Sequence, residues 1–329
     1  MTPCALRDAI ARFPSLPLVA APTPVEPMPR LRASLGGGPR LLVKRDDAIA
    51  FGFGGNKIRK LALVAARARA DGADTLITAG GVQSNHARAT ASAAAKLGMR
   101  AVLVANGAAP DRPTANALLD RLLGADVVYV ERRDQRAPKM DEIAARLRTE
   151  GRRPFTIPIG ASTPLGALGY ALAAAELVDQ VPPPDVIIHS TSSGGTQAGL
   201  VAGCRLLGLP TRVIGISADD SAASLQATIG AIVNGIAEML GDESGGPAFQ
   251  AGRSDIEIDD SFVGEGYGRP TAASQEAIER AARTEALFLD PTYTAKAMAG
   301  LISYVRQGRF TESETILFWH TGGQVGLFA

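Results

Sequence analysis

Three glycine-rich segments stand where the chain could do chemistry: Gly52-Phe-Gly-Gly-Asn-Lys57, Gly80-Gly-Val-Gln-Ser-Asn-His86 and Thr191-Ser-Ser-Gly-Gly-Thr196. Each precedes a stretch with helical periodicity. In the third, two consecutive glycines let a ligand approach the backbone closely. The helix that follows would aim unpaired N–H groups and its positive end at an anion such as a phosphate, with the Ser192, Ser193 and Thr196 hydroxyls as further donors. The same residues also make an ordinary turn with a helix cap. The GxxxxGK[ST] pattern is absent, and Gly194-Gly-Thr-Gln-Ala-Gly199 has Thr196 where GxGxxG needs its second glycine. Asp219 or Asp220, after the next strand, keeps a dinucleotide reading open, but that reading gives the first two loops no role.

Lys57 stands at the start of a predicted helix, where a cation opposes the helix dipole. On a surface it is only a solvated charge. Behind crowded glycines it is within reach of a ligand, and a positive helix end gives its amine a reason for the depressed pKa that a Schiff-base lysine needs. Gln83-Ser-Asn85 brings amide and hydroxyl groups to another helix start, a donor set suited to a carboxylate. Capping by Ser84, with Asn85 and His86 as first-turn residues, accounts for the same pattern.

The elements that must position these loops alternate along the chain. Strands are expected at 41–44, 75–78, 101–104, 127–130, 155–157, 185–189, 212–216 and 315–319. Helices are expected at 56–70, 84–97, 114–123, 140–149, 168–178, 196–207, 221–240, 272–287 and 293–306. Such βαβα alternation calls for parallel sheets covered by helices on both faces, with ligands gathered where strand ends meet helix starts. Gly36-Gly-Gly-Pro39 and Gly241-Asp-Glu-Ser-Gly-Gly-Pro247 read as surface turns, and Val181-Pro-Pro-Pro184 as a helix stop.

Composition narrows the class. The 329 residues are 46% hydrophobic and 20% charged, with 34 basic against 33 acidic side chains. That length suits two domains, and the balance argues against disorder and against a nucleic-acid or anionic-membrane partner. Two cysteines, Cys4 and Cys204, make no disulfide framework, and the N-terminal residues lack an apolar signal run, so a reduced, cytoplasmic setting is expected. The three histidines lie far apart without HxxxH or CxxC spacing, and no metal is expected.

In their order and spacing these motifs resemble the fold-type II pyridoxal-phosphate enzymes, within them the D-cysteine desulfhydrase / 1-aminocyclopropane-1-carboxylate deaminase family. The resemblance runs nearly end to end, through Val43-Lys-Arg-Asp-Asp47, Gly54-Gly-Asn-Lys-Ile-Arg-Lys-Leu61, Gln83-Ser-Asn-His-Ala-Arg88, Ser193-Gly-Gly-Thr-Gln-Ala-Gly199, Gly264-Glu-Gly-Tyr-Gly268, Leu289-Asp-Pro-Thr-Tyr-Thr-Ala-Lys296 and His320-Thr-Gly-Gly323. It implies two doubly wound open parallel-sheet α/β domains with the active site in the cleft between them. A large cofactor-binding domain would comprise 1–57 and 166–329, and a small inserted one 58–165. The resemblance also implies pyridoxal 5'-phosphate as cofactor, a small amino acid as substrate and a homodimer.

The resemblance further assigns roles. Lys57 would hold the cofactor covalently and carry the Cα proton. Ser193, Gly194, Gly195 and Thr196 would take its phosphate, Asn85 its phenolic oxygen, and Thr294 would face its pyridine nitrogen. Gln83, Ser84, Asn85, His86 and Thr321 would bind substrate, with Ser84, Tyr267 and Tyr293 sharing in catalysis. Deaminase members carry glutamate where this chain has Thr294, and tend to carry glutamine at His86. A neutral hydroxyl gives a weaker electron sink, adequate for expelling thiolate. The expected reaction is therefore β-elimination of D-cysteine to pyruvate, sulfide and ammonia. Deamination of the cyclopropane amino acid, L-cysteate sulfo-lysis and elimination from β-chloro-D-alanine or D-serine are the alternatives. A cofactor-free amino-acid-binding paralogue, against which Lys57 argues, is the alternative from another class.

Overall fold

The computed structural model describes residues 1–241 and 255–329, so the turn read at 241–247 lies, apart from Gly241, outside the described residues. Helix α1 (Pro3–Ala11), strand β1 (Val25–Pro27), helix α2 (Pro29–Ser34) and strand β2 (Arg40–Arg45) open the chain. Then follow α3 (Asn56–Ala70), β3 (Thr75–Gly81), α4 (Asn85–Leu97), β4 (Arg100–Asn106), α5 (Ala115–Leu122), β5 (Asp126–Val130), α6 (Arg136–Thr149) and β6 (Pro154–Thr156). The chain continues through α7 (Pro164–Gln180), β7 (Val186–Thr191), α8 (Gly195–Leu206), β8 (Arg212–Ser217), α9 (Ala222–Leu240) and β9 (Glu257–Asp259). It ends with α10 (Ala272–Glu285), α11 (Thr294–Arg306) and β10 (Thr315–His320).

Two sheets result. One has the order β1-β2-β10-β7-β8-β9, parallel except for the antiparallel edge strand β1; the other is a parallel β5-β4-β3-β6 sheet. All strands of the smaller sheet lie between residues 75 and 156, inside the sequence of the larger. Side-chain alternation explains why both faces of the larger sheet are covered. Leu42, Ile187, Val213, Leu317 and Trp319 pack under α1, α7, α8 and α9. Leu41, Val43, Val186, Ile188, Ile316 and Phe318 pack under α2, α10 and α11. In the smaller sheet Leu76 and Leu103 face α3 and α4, while Ile77, Ala79, Val102 and Val104 face Met140, Ile143 and Leu147 of α6. Helix α9 has the length and hydropathy of a membrane span. Its Leu225, Ile229, Ile232, Val233, Ile236 and Leu240 nonetheless form one stripe buried in the core with α7 and α8, as an amphipathic core helix requires.

A buried ionic cluster fixes α3 against the larger sheet. Asp46 accepts from Arg59 (2.8 Å), Tyr170 Oη (2.5 Å), Trp319 Nε1 (2.8 Å) and Thr23 Oγ1 (3.0 Å). Glu176 of α7 accepts from Arg59 (2.9 Å) and Lys44 (2.5 Å). Every charge in it is paired, the condition under which buried ions are tolerated. Arg59 thereby pins the helix whose first turn carries Lys57.

Candidate active site

Lys57 lies in the first turn of α3, and the glycines before it are there for geometric reasons. Gly54 (φ +68°) passes so close to the chain that a Cβ would stand 2.7 Å from the carbonyl oxygens of Asp47 and Ile49. Gly55 (φ +97°) lies under the Thr321 carbonyl, which accepts from Asn56 N at 2.9 Å. Arg88 of α4 donates to the carbonyls of Gly52 and Gly54, clamping the loop from the other side. Lys57 Nζ donates to Asn56 Oδ1 (3.0 Å), and Asn56 Nδ2 donates to Thr196 Oγ1 (2.9 Å), which links the lysine to the glycine loop before α8. Burial pushes the Lys57 amine down to about 8; Asp290 opposes that shift and Arg88 adds to it.

The loop between β7 and α8 is built as an anion cradle. Gly194 adopts φ +79°, and a Cβ on Gly195 would stand 2.6 Å from Ser162 Oγ, so neither position accepts a side chain without displacement. Ser162 Oγ donates to Ser193 Oγ (2.8 Å) and accepts from Gly195 N (3.2 Å) and Lys60 Nζ (3.4 Å). Lys60 is 1% exposed and bonded to no carboxylate among the described residues. Burial, reinforced by the Lys57 charge, drives its amine well below the ordinary lysine range. A buried amine without a counter-ion, beside hydroxyls and a helix start, is what an incoming phosphate would satisfy. The donor set therefore fits a phosphate-bearing cofactor.

A cavity of about 260 Å³ joins these parts. Its walls include Lys57, Ser84, Asn85, His86, Ser193, Gly194, Thr196, Tyr267, Tyr293 and Thr321, all expected from the sequence. Ser84 also caps α4, accepting from Ala87 N at 3.2 Å, so its capping and cavity-facing readings both hold. Tyr267 and Tyr293 share a hydroxyl–hydroxyl hydrogen bond of 2.6 Å with their rings edge to face, and burial raises both phenols. His86, bonded through Nε2 to Thr78 Oγ1 at 2.8 Å, is driven well below its usual range by burial and the nearby Lys57 and Lys60, so it stays neutral.

Three expected site residues are not among those lining the cavity. Gln83 turns to the start of α5, accepting from Asn116 N (2.9 Å) and donating to Thr114 O (3.3 Å). Thr294 is fully buried. Its hydroxyl donates to Asp290 Oδ1 (2.7 Å) and accepts from Asp290 N (2.8 Å), so it is already engaged at the turn into α11. Gly195 lies beneath Ser162, with its N–H bonded there. Asp219, a candidate for gripping a ribose, is instead paired with Arg133 at 2.5 Å. Residues that sequence reasoning passed over are Asn56, Lys60, Arg133, Arg136 and Ser162. Of these, only Lys60 carried a legible signal, its i,i+3 spacing from Lys57 on one helix face.

The family model described as "pyridoxal-phosphate dependent enzyme" matches residues 16–322. The chain belongs to this family. Pyridoxal phosphate is accordingly its cofactor, and the buried Lys60 and the cradle before α8 are suited to the phosphate. The chain is 41% identical to a D-cysteine desulfhydrase of Klebsiella pneumoniae (strain 342) and 40% identical to one of Salmonella typhi, each over 97% of both chains. Among solved structures, an ACC deaminase homologue superimposes with a TM-score of 0.90 at 34% identity, covering 98% of this chain and 96% of that one. A pyridoxal 5'-phosphate-dependent aspartate racemase shares the fold at a TM-score of 0.70 and 17% identity.

Proposed function

We propose that the protein is a pyridoxal-phosphate lyase that eliminates the β-substituent of an amino acid, with D-cysteine going to pyruvate, sulfide and ammonia. One observation carries this reading. A lysine amine lowered to about 8 shares one cavity with an anion cradle, the capped start of α4 and a hydrogen-bonded tyrosine pair. The similarity to D-cysteine desulfhydrases along nearly the whole chain supports it. When bound, the cofactor supplies an electron sink for charge developed at Cα.

The chain's own groups do the rest. Lys57 is poised to take and return a proton near neutral pH. The α4 start, with Ser84 and Asn85, is suited to the substrate carboxylate. Asn85 is held by Asn116, whose Nδ2 donates to Asn85 Oδ1 at 2.9 Å. The hydrogen-bonded tyrosines, both shifted upward from the ordinary phenol range, are suited to pass a proton toward a departing group. We further propose that residues 58–165 form the smaller domain and that the cavity lies between it and the remainder.

The test is a product assay for sulfide, pyruvate, ammonia and 2-oxobutyrate from D-cysteine, L-cysteine and the cyclopropane amino acid. Sulfide and pyruvate from D-cysteine are expected, together with loss of the covalent visible chromophore in Lys57→Ala. Oxobutyrate without sulfide would overturn the reading.

A further inference from the structure

Which atom Asn85 turns to the cavity is settled by a residue that does not line it. Asn116, in the first turn of α5, is fully buried. Its Nδ2 donates to the Gln83 carbonyl at 3.0 Å and to Asn85 Oδ1 at 2.9 Å. A backbone carbonyl can only accept, so the Gln83 contact fixes which end of the Asn116 amide is nitrogen. That nitrogen in turn demands an acceptor from Asn85, which must be Oδ1, and Nδ2 is the end left over. Asn116 Oδ1 has no partner among the described residues, so nothing draws the amide the other way.

Asn116 is itself locked. Its backbone N–H donates to Gln83 Oε1 at 2.9 Å, so the two residues grip each other through backbone and side chain in both directions. Ala115 before it takes φ +45°, a left-handed conformation unfavourable for any residue with a Cβ. On the other side, Asn85 lines the cavity, and no acceptor among the described residues is bonded to its Nδ2. Gly323 leaves that nitrogen room, since a Cβ there would stand 3.0 Å from it. Asp290, also beside Gly323, is spent on the N–H groups of Thr292, Tyr293 and Thr294.

In pyridoxal phosphate the aldehyde that a lysine takes is flanked by a phenolic oxygen on one side and the phosphate-bearing arm on the other. With Lys57 for the aldehyde and the cradle before α8 for the phosphate, a donor in the same cavity but outside the cradle is suited to the phenolic oxygen. A rotating asparagine could offer that oxygen a donor or an acceptor. One locked with Nδ2 forward offers only a donor, and a donor favours the ionised oxygen over the neutral hydroxyl.

We propose that Asn116 is a positioning residue: by holding Asn85 Oδ1 it commits Asn85 Nδ2 to the cavity and keeps the cofactor's phenolic oxygen ionised. The inference rests on the placing of Asn85 at that oxygen, and not on which β-substituent leaves.

The cofactor-loaded protein tests this without substrate, because its absorbance distinguishes the ionised phenolic oxygen, at longer wavelength, from the neutral one. At fixed pH the ratio of the long- to the short-wavelength band should fall about tenfold in Asn116→Leu, the factor expected for a hydrogen bond to a charged group. Asn85→Ala should lower it similarly, and adding Asn116→Leu to Asn85→Ala should change it less than about twofold, because the effect passes through Asn85. Asn116→Asp, which keeps the shape but puts an acceptor where Nδ2 stood, should lower the ratio too and guards against a merely misfolded Leu variant. An unchanged ratio in either Asn116 variant, or a full further loss in the Asn85→Ala background, would overturn the assignment. An unchanged ratio in Asn85→Ala would overturn it at its premise, by removing Asn85 from the phenolic oxygen. The lyase reading stands or falls separately, on the product assay.

Discussion

Replacing the central lysine should make the cofactor-free protein more stable. The Lys57 amine titrates at about 8 in the folded chain against 10.5 for a free lysine. Below pH 8 both folded and unfolded forms hold the proton, and the folded state bears the full cost of a desolvated charge. Between about 8 and 10.5 the folded amine loses its proton first and the cost shrinks. Above 10.5 neither form is charged and nothing remains. The gap of about 2.5 units corresponds to at most ~3.4 kcal/mol at ~1.36 kcal/mol per unit. Lys57 keeps some contact with water through the cavity, so we expect ~1–3 kcal/mol after discounting for screening. Lys57→Met, which keeps most of the aliphatic stem, should therefore gain that much in urea unfolding of the cofactor-stripped protein at pH 7, judged by midpoint at unchanged slope. The advantage should fall by more than half by about pH 9.5. A variant no more stable than wild type at pH 7, or an advantage that does not narrow with rising pH, would refute the claim that burial depresses this amine.

Two further outcomes follow from positions where the backbone leaves no slack. In Gly195→Ala the new methyl meets Ser162 Oγ at 2.6 Å and Ser162 Cα at 2.8 Å, so the cradle must open. Fluorescence titration should show cofactor affinity weakened about tenfold or more, corresponding to ~1.4 kcal/mol, and wild-type affinity would contradict the cradle's role. Lys296, fully buried, donates to the carbonyls of Val263 (2.7 Å), Gly266 (2.9 Å) and Ala218 (3.3 Å), tying the loop that carries Tyr267 to the end of β8. Lys296→Met strands those acceptors, at ~1–3 kcal/mol. Hydrogen exchange at residues 263–268 should accelerate about tenfold, and unchanged protection there would show that Lys296 does not hold the loop.

The sequence disclosed the parts of this architecture that repeat or are conformationally forced. Parallel-sheet alternation and the three glycine loops were visible because buried strands and positive-φ turns restrict residue choice locally. Elements held by tertiary pairing were not visible. Strands β1 and β9 have three residues each, too few for a period, and exist because β2 and β8 offer an open edge. Gln83 reads as a ligand-facing amide from its neighbours, but its partners, Thr114 and Asn116, lie more than thirty residues away. Arg136 was hidden by a boundary. Periodicity placed the helix at 140–149, whereas α6 begins at Arg136, and a residue assigned to a loop gives no reason to look for its charge in a cavity.

The positions along α3 show how one helix can hold two buried amines of depressed basicity beside a site. Lys57 lines the cavity and Lys60, three residues on, reaches Ser162 beneath the cradle, while Arg59 between them points to Asp46 and Glu176. The two lysines depress one another's neighbourhood: the charge of Lys57 is the second cause, after burial, of the low value at Lys60. Such a pair is unfavourable until an anion arrives, and only a helix anchored elsewhere can keep it in place. Arg59 supplies that anchor through carboxylates that are themselves buried and fully paired. An anion bound beside Lys60 would offset part of what α3 loses by holding a desolvated amine there, which would link binding and stability through this one helix.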